Sequence, residues 1–198
     1  MEWEDSLESL LEKYADEAQV RESLHRKAYY YYKRWLTGFQ IPIIVLSAVS
    51  GSVQFLSKSF PTHESVLTNC TGGLSIFVTI ISAVMTFLKL GESKTKNEMS
   101  QITWQNFHNT IVHELTLARR LRQEPEKFLQ EIKTQYDRLF EISPICDRSF
   151  ILEIRKRVKK CATTAFKIPN YLNGFKHARS WPHEGEEKYE DNTSEEDN

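Results

Sequence analysis

Cysteine is scarce in this chain: Cys70, Cys146 and Cys161 stand far apart among 198 residues, with no CxxC spacing and an odd count. That excludes a disulfide framework, makes a structural zinc site an unfavoured expectation, and describes isolated free thiols in a reducing compartment. Phosphate-cradling loops are also missing. There is no GxxxxGK[ST] and no GxGxxG, and the zinc-protease HExxH is absent. His108 and His113 are five apart, about 140° around a helix, so they do not share a face that could hold a metal. Carboxylates are plentiful, but none sits in a glycine-rich or apolar setting that would tune it for proton transfer. The expectation is no enzyme, no cofactor and no metal. Sustained strand alternation is lacking as well, so the expected fold class is all-α.

Charge is the other thing missing, over two long stretches. From Trp35 to Ser57 there are 23 residues without one, and from Ser65 to Leu88 there are 24. About 20 helical residues, rising ~1.5 Å each, cover the roughly 30 Å hydrocarbon core of a bilayer, so either stretch can span it. Helices of soluble bundles keep a polar stripe, and neither stretch has one. A cleaved signal peptide is not expected, because the first stretch starts beyond residue 34 behind an acidic region. The short connection Lys58–Glu64 reads as a tight loop. Lysine and arginine flank the outer ends (Arg26, Lys27, Lys33 and Arg34 before, Lys89, Lys94 and Lys96 after), whereas the loop has only Lys58. By the positive-inside rule both termini are expected in the cytoplasm.

Where charge is present it comes in blocks, so the net charge of -1 is uninformative about partners. Residues 1–24 carry eight acidic and two basic side chains, residues 148–160 one acidic and six basic, and the last fifteen residues eight acidic and one basic. The expected organisation is an N-terminal amphipathic helix at 1–34, a transmembrane hairpin at 35–90 with spans at about 37–57 and 68–88, a helical cytoplasmic arm at 91–161, and a mostly disordered acidic tail at 162–198. Leu7, Leu11, Tyr14, Ala18, Arg21, His25, Ala28, Tyr32 and Trp35 follow a 4-3 spacing that runs into the first span. Trp104, Phe107, Ile111, Leu115, Ala118 and Leu121 form one later stripe. A second comprises Phe128, Leu129, Ile132, Tyr136, Leu139 and Phe140. Pro125 is expected to open the helix of that second stripe and Ser143-Pro144 to end it, with a short helix at about 147–161.

Three sets of residues are singled out. Ser47/Gly51 and Ala48/Ser52 on the first span, with Ser75/Thr79/Ala83 on the second, recur every four positions, the spacing at which helix backbones approach closely in lipid. Tyr29, Tyr30, Tyr31, Tyr32 and Trp35 suit the headgroup level as interface anchors. The run Arg155, Lys156, Arg157, Lys159 and Lys160 could lie on anionic lipid or the chain's own acidic tail, or neutralise nucleic-acid phosphates, or be a solvated helix face. The sequons at Asn69 and Asn192 are not expected to carry glycans, by their position.

The segment His25 to Arg34, the run Ile41-Pro42-Ile43-Ile44-Val45-Leu46-Ser47-Ala48-Val49-Ser50-Gly51 and the span end Phe87-Leu88-Lys89 resemble the SLATT family of two-transmembrane proteins. With Tyr136-Asp137-Arg138-Leu139 and Ser143-Pro144, the pattern is similar to homologues encoded by large nucleocytoplasmic DNA viruses; it covers about residues 25–155. The resemblance implies a two-helix hairpin followed by a long cytoplasmic helix. For bacterial members it implies a membrane effector that oligomerises into pores when a partnered sensor responds. No fused sensor is expected here, and no catalytic residues transfer. The function expected is a non-enzymatic, self-associating membrane scaffold or effector of a viral or host membrane, with the bilayer and a homo-oligomer as partners. The alternatives are an oligomeric pore, and a membrane tether that binds nucleic acid through residues 155–160.

Overall fold

The computed structural model describes residues 3–57 and 64–161. The connecting loop and the acidic tail beyond residue 161, with their predicted tight turn and disorder, lie outside the described residues, as do the side chains at 56, 57, 64 and 159–161. Five α-helices account for most of the rest: α1 (Asp5–Ser57), α2 (Glu64–Phe87), α3 (Leu90–Thr116), α4 (Pro125–Ile142) and α5 (Arg148–Cys161), with a 3-10 turn at Arg119–Leu121. No strand occurs among the described residues, so the fold is all-helical.

The organising element is α1, 53 residues long, or ~80 Å at 1.5 Å per residue. It crosses from the acidic N-terminal block into the uncharged stretch with no break at residue 34. Asp5 and Glu8 lie in its first turn, where they complement the helix dipole. α2 and α3 return antiparallel along it, α2 beside the apolar half and α3 beside the charged half. Side-chain contacts fix the register: His25 meets Asn97, Tyr29 lies under the Lys94 ammonium, and His108 meets the Ala15 carbonyl. On that register Lys89, the break between α2 and α3, comes level with Arg34. Lys89 adopts the left-handed conformation at φ 48°, directly after Leu88, whose N–H bonds the Val84 carbonyl, and one turn before Ser93, whose N–H bonds Lys89's own carbonyl.

The charged half of α1 is the spine of a bundle. Leu11, Ala15 and Ala18 pack with Trp104, Phe107 and Ile111 of α3 and Phe128 and Ile132 of α4, all buried. Higher up α1, Val20, Leu24 and Ala28 pack with Phe150 and Ile154 of α5. The predicted 4-3 seam of the first arm is thus filled within one chain. Arg21 is accommodated in it by a 2.8 Å pair with Glu17 and by lying over the rings of Trp104 and Phe140. Trp35 leaves the seam and is 49% exposed; Leu36 takes the inward position.

The α3–α4 corner is where sequence and structure part. The stripe predicted through Ala118 and Leu121 stops at Thr116, because Leu117 is extended (ψ 149°), and Leu121 is 66% exposed. Arg122 explains the stop. Its Nε and Nη2 donate to the carbonyls of Leu117 and Leu115, each at 2.8 Å, capping the end of α3 from outside. Nη1 donates to Glu8 at 2.6 Å, and the guanidinium lies over the Trp3 ring. Arg119 adds bonds to Glu8 and Asp5, which hold the Glu8 carboxyl below the usual carboxylate range. α4 then opens with Pro125 in its first turn, as its missing N–H allows, and ends at Ser143. That serine's hydroxyl accepts the Trp104 indole N–H at 2.8 Å.

Candidate functional site: an apolar hairpin on a polar collar

Beyond the collar formed by Lys33, Arg34 and Lys89, α1 and α2 continue without charge and face each other through a regular seam. On α1 the half-buried positions are Leu36, Phe39, Ile43, Leu46, Ser50 and Val53. On α2 they include Leu67, Leu74, Val78, Ile81 and Met85, with Thr71 buried among them. Both follow 4-3 spacing, the geometry of left-handed helix pairing. Apart from Ser82, which is also half-buried, the described side chains of the two apolar stretches point outward. Ile44 is 66% exposed, Ile76 64% and Phe55 82%. Of the most apolar stretch in each helix, none of the first and 6% of the second is buried. These two helices are long and apolar enough to cross a membrane. A core helix of a soluble bundle passes the same test of length and composition, but it would be covered by its neighbours, and these are not.

Five hydroxyls of the hairpin are satisfied within their own helices. Ser52 donates to Ala48, Thr71 to Leu67, Ser75 to Thr71, Thr79 to Ser75 and Thr86 to Ser82, at 2.8–3.0 Å. This bonding to the carbonyl four residues back leaves the outer surface with little unmet polarity.

The predicted packing residues fall elsewhere than the seam. Ser47, Ala48, Gly51, Ser52, Ser75, Thr79 and Ala83 are all exposed. A Cβ added at Gly51 meets nothing within 4 Å. Larger side chains fill the seam between α1 and α2, and the small-residue stripes lie on the outer faces of the two helices. The anchors divide as well. Tyr30, Tyr31 and Trp35 are exposed, whereas Tyr29 and Tyr32 are half-buried. Tyr29 lies beneath the ammonium groups of Lys33 and Lys94, each 5.5 Å from the ring centre, and Tyr32 packs against the α5 cluster.

The basic run rides on α5, and its direction matters. Tyr31 meets Phe150 edge to face and Lys27 pairs with Glu153, so α5 runs antiparallel to α1, away from the hairpin. Residues 155–160 therefore lie beside residues 20–25 of α1, roughly 12–20 Å from the collar at 1.5 Å per residue. Lys156 and Arg157 are exposed. Arg155 is turned inward, with its Nε buried and without a partner among the described residues; the side chains of Lys159 and Lys160 lie outside them.

One polar cluster was not legible in the sequence. His25 and Asn97 are buried at 2% and 4% exposure, with His25 Nδ1 3.0 Å from Asn97 Oδ1. Cys146 Sγ approaches the same nitrogen at 3.5 Å, and Asn97 donates back to the Ser93 carbonyl at 2.8 Å. Burial lowers the His25 pKa and pushes the Cys146 thiol up to about 11. Both shifts favour the uncharged forms, the imidazole and the thiol. The trio clamps the α4–α5 turn onto α1 and α3. No group of three or more His, Cys, Asp or Glu poised for a metal occurs among the described residues. No family model, curated protein or solved structure matches the chain.

Proposed function

We propose that the chain is a two-pass membrane protein whose hairpin lies in the bilayer, with the helical bundle and both termini on the cytoplasmic side. The observation that carries this is the contrast along α1: the half below the collar buries its apolar residues against α3, α4 and α5, while the half beyond it leaves them uncovered. In water that surface would be a large apolar patch; in lipid it is solvated. The activity is non-enzymatic. Outward small residues offer close-approach faces to a second copy, which supports a self-associating scaffold or effector of the kind the SLATT resemblance implies. The viral or host membrane stays part of this proposal.

Two features weigh on the alternatives. The described part of the hairpin between the collar and the loop carries no charged side chain for an ion-selective lining, which favours the scaffold over a pore. The direction of α5 carries the basic run away from the bilayer, so anionic lipid is not its partner in this reading; a soluble polyanion such as nucleic acid can reach it.

Alkaline extraction of membranes tests the placement, and an intact bundle in the supernatant would sink it. With Cys70 and Cys161 replaced by serine, an impermeant maleimide applied opposite the termini should label Ser59→Cys and spare Glu131→Cys. The reverse pattern would overturn the orientation. Dye release from liposomes by the purified chain would favour the pore.

A further inference from the structure

The outer face of α1, turned away from α2, carries an open groove of 610 Å³ at the level of the collar, lined by Tyr30, Lys33, Arg34, Gly38, Ile41 and Pro42. One end is cationic and the other apolar. Neither Lys33 nor Arg34 forms an ion pair among the described residues; Lys33 lies over the Tyr29 ring, and no carboxylate among them neutralises either cation there. A Cβ added at Gly38 meets nothing within 4 Å; this glycine makes room for no helix of the chain and leaves a notch instead.

Pro42 fixes the depth of that notch. In an α-helix the N–H of residue 42 would bond the carbonyl of residue 38, and proline has none. The Gly38 carbonyl therefore lacks its helical donor, and glycine has no side chain to shield it. An acceptor of this kind is costly in dry hydrocarbon and is met by water at the ester level of a leaflet. One turn outward, ~6 Å at 1.5 Å per residue, stand Lys33 and Arg34, the height of the phosphates. One turn inward lies the apolar floor of Ile41 and Pro42.

We propose that this groove binds an anionic phospholipid of the leaflet beside the bundle, with the phosphate on Lys33 and Arg34 and an acyl chain along Ile41 and Pro42. The site rests on the two-pass reading above and adds to it a specific lipid contact. It also places lipid-charge recognition at the neck of α1 and not on α5.

The test is native mass spectrometry of the full chain in detergent, titrated with phosphatidylserine or phosphatidylcholine of identical acyl chains. Phosphatidylserine should bind at least about tenfold tighter, at roughly 1 kcal/mol per basic residue near an anionic surface. K33Q/R34Q should erase that preference, K33R/R34K should restore it, and G38L should weaken both lipids by filling the notch. K156Q/R157Q should leave the preference intact. Equal binding of the two lipids, a preference that survives K33Q/R34Q or is lost in K156Q/R157Q, or displacement by millimolar inorganic phosphate would overturn the proposal. Alkaline extraction separates the two failures: a chain that stays in the membrane pellet without headgroup preference sinks only the groove, whereas a chain washed into the supernatant sinks the two-pass reading itself.

Discussion

Placing one lysine on each outer face at mid-hairpin measures which solvent surrounds it. Val49 and Ile76 are 49% and 64% exposed, and Val49 lies eleven residues beyond Gly38, ~16 Å or about half of a roughly 30 Å hydrocarbon core. On an aqueous surface such a replacement changes stability by about 0.5 kcal/mol or less. At the centre of a bilayer a lysine costs about 2.5–3.5 kcal/mol while the apolar residue it replaces contributes about 0.3–0.6. Each substitution should therefore cost insertion about 3–4 kcal/mol, more than a hundredfold in partitioning at 1.4 kcal/mol per tenfold. The assay is translation into microsomes followed by alkaline extraction, scoring V49K, I76K and the double variant, with I142K on the exposed face of α4 as the control. V49K/I76K should move from pellet to supernatant or aggregate, and I142K should behave as wild type. If the double variant is instead a soluble protein with unchanged helicity and thermal midpoint, the hairpin is an aqueous structure and the reasoning fails.

In the bundle, Ile132→Ala empties a fully buried position and should cost about 2–4 kcal/mol in urea melts of the detergent-solubilised chain. R122M removes the side-chain donor that caps Leu115 and Leu117 and leaves Glu8 to Arg119 alone, and should cost about 3 kcal/mol; R122K should rescue little because an ammonium cannot reproduce the fork. His25 is held below its ordinary value by burial, so as pH falls through about 6.5 the unfolded chain takes up a proton that the folded one refuses. Stability should be complete above that pH and decline below it. H25Q should flatten the decline, and an unchanged slope in H25Q would show that other groups cause it. With its thiol at about 11 in place of 9.0, Cys146 should alkylate at pH 8 about a hundredfold more slowly than an unperturbed cysteine, followed by peptide mass mapping.

Much of the architecture could be read along the chain wherever polar and apolar residues alternate with contrast. Leu11, Ala18 and Ala28 show the α1 seam because Glu12, Gln19 and Arg26 stand between them. Pro125 and Ser143 mark α4 by backbone chemistry. Inside the hairpin that contrast vanishes: every position is uncharged, so Leu36, Phe39, Ile43 and Leu46 cannot be told from their neighbours. The end of α3 was missed for another reason. Leu117, Ala118 and Leu121 continue the helical period, and only Arg122, folding back to take two carbonyls, forbids it. His25, Asn97 and Cys146 come from three distant segments, and no local pattern announces their meeting.

The two legs of the hairpin are mechanically unequal. α1 is one helical rod from the bundle's base to the far end of the apolar region, with a single ladder bond missing at Pro42, so a rotation or tilt imposed on the bundle is carried along it. The return leg is jointed at Lys89, where a left-handed residue interrupts the hydrogen-bond ladder at the height of the collar. Torque enters through the rod and is relieved at the joint. A partner that grips the bundle would therefore turn the outer face of α1, with its groove and small residues, relative to α2.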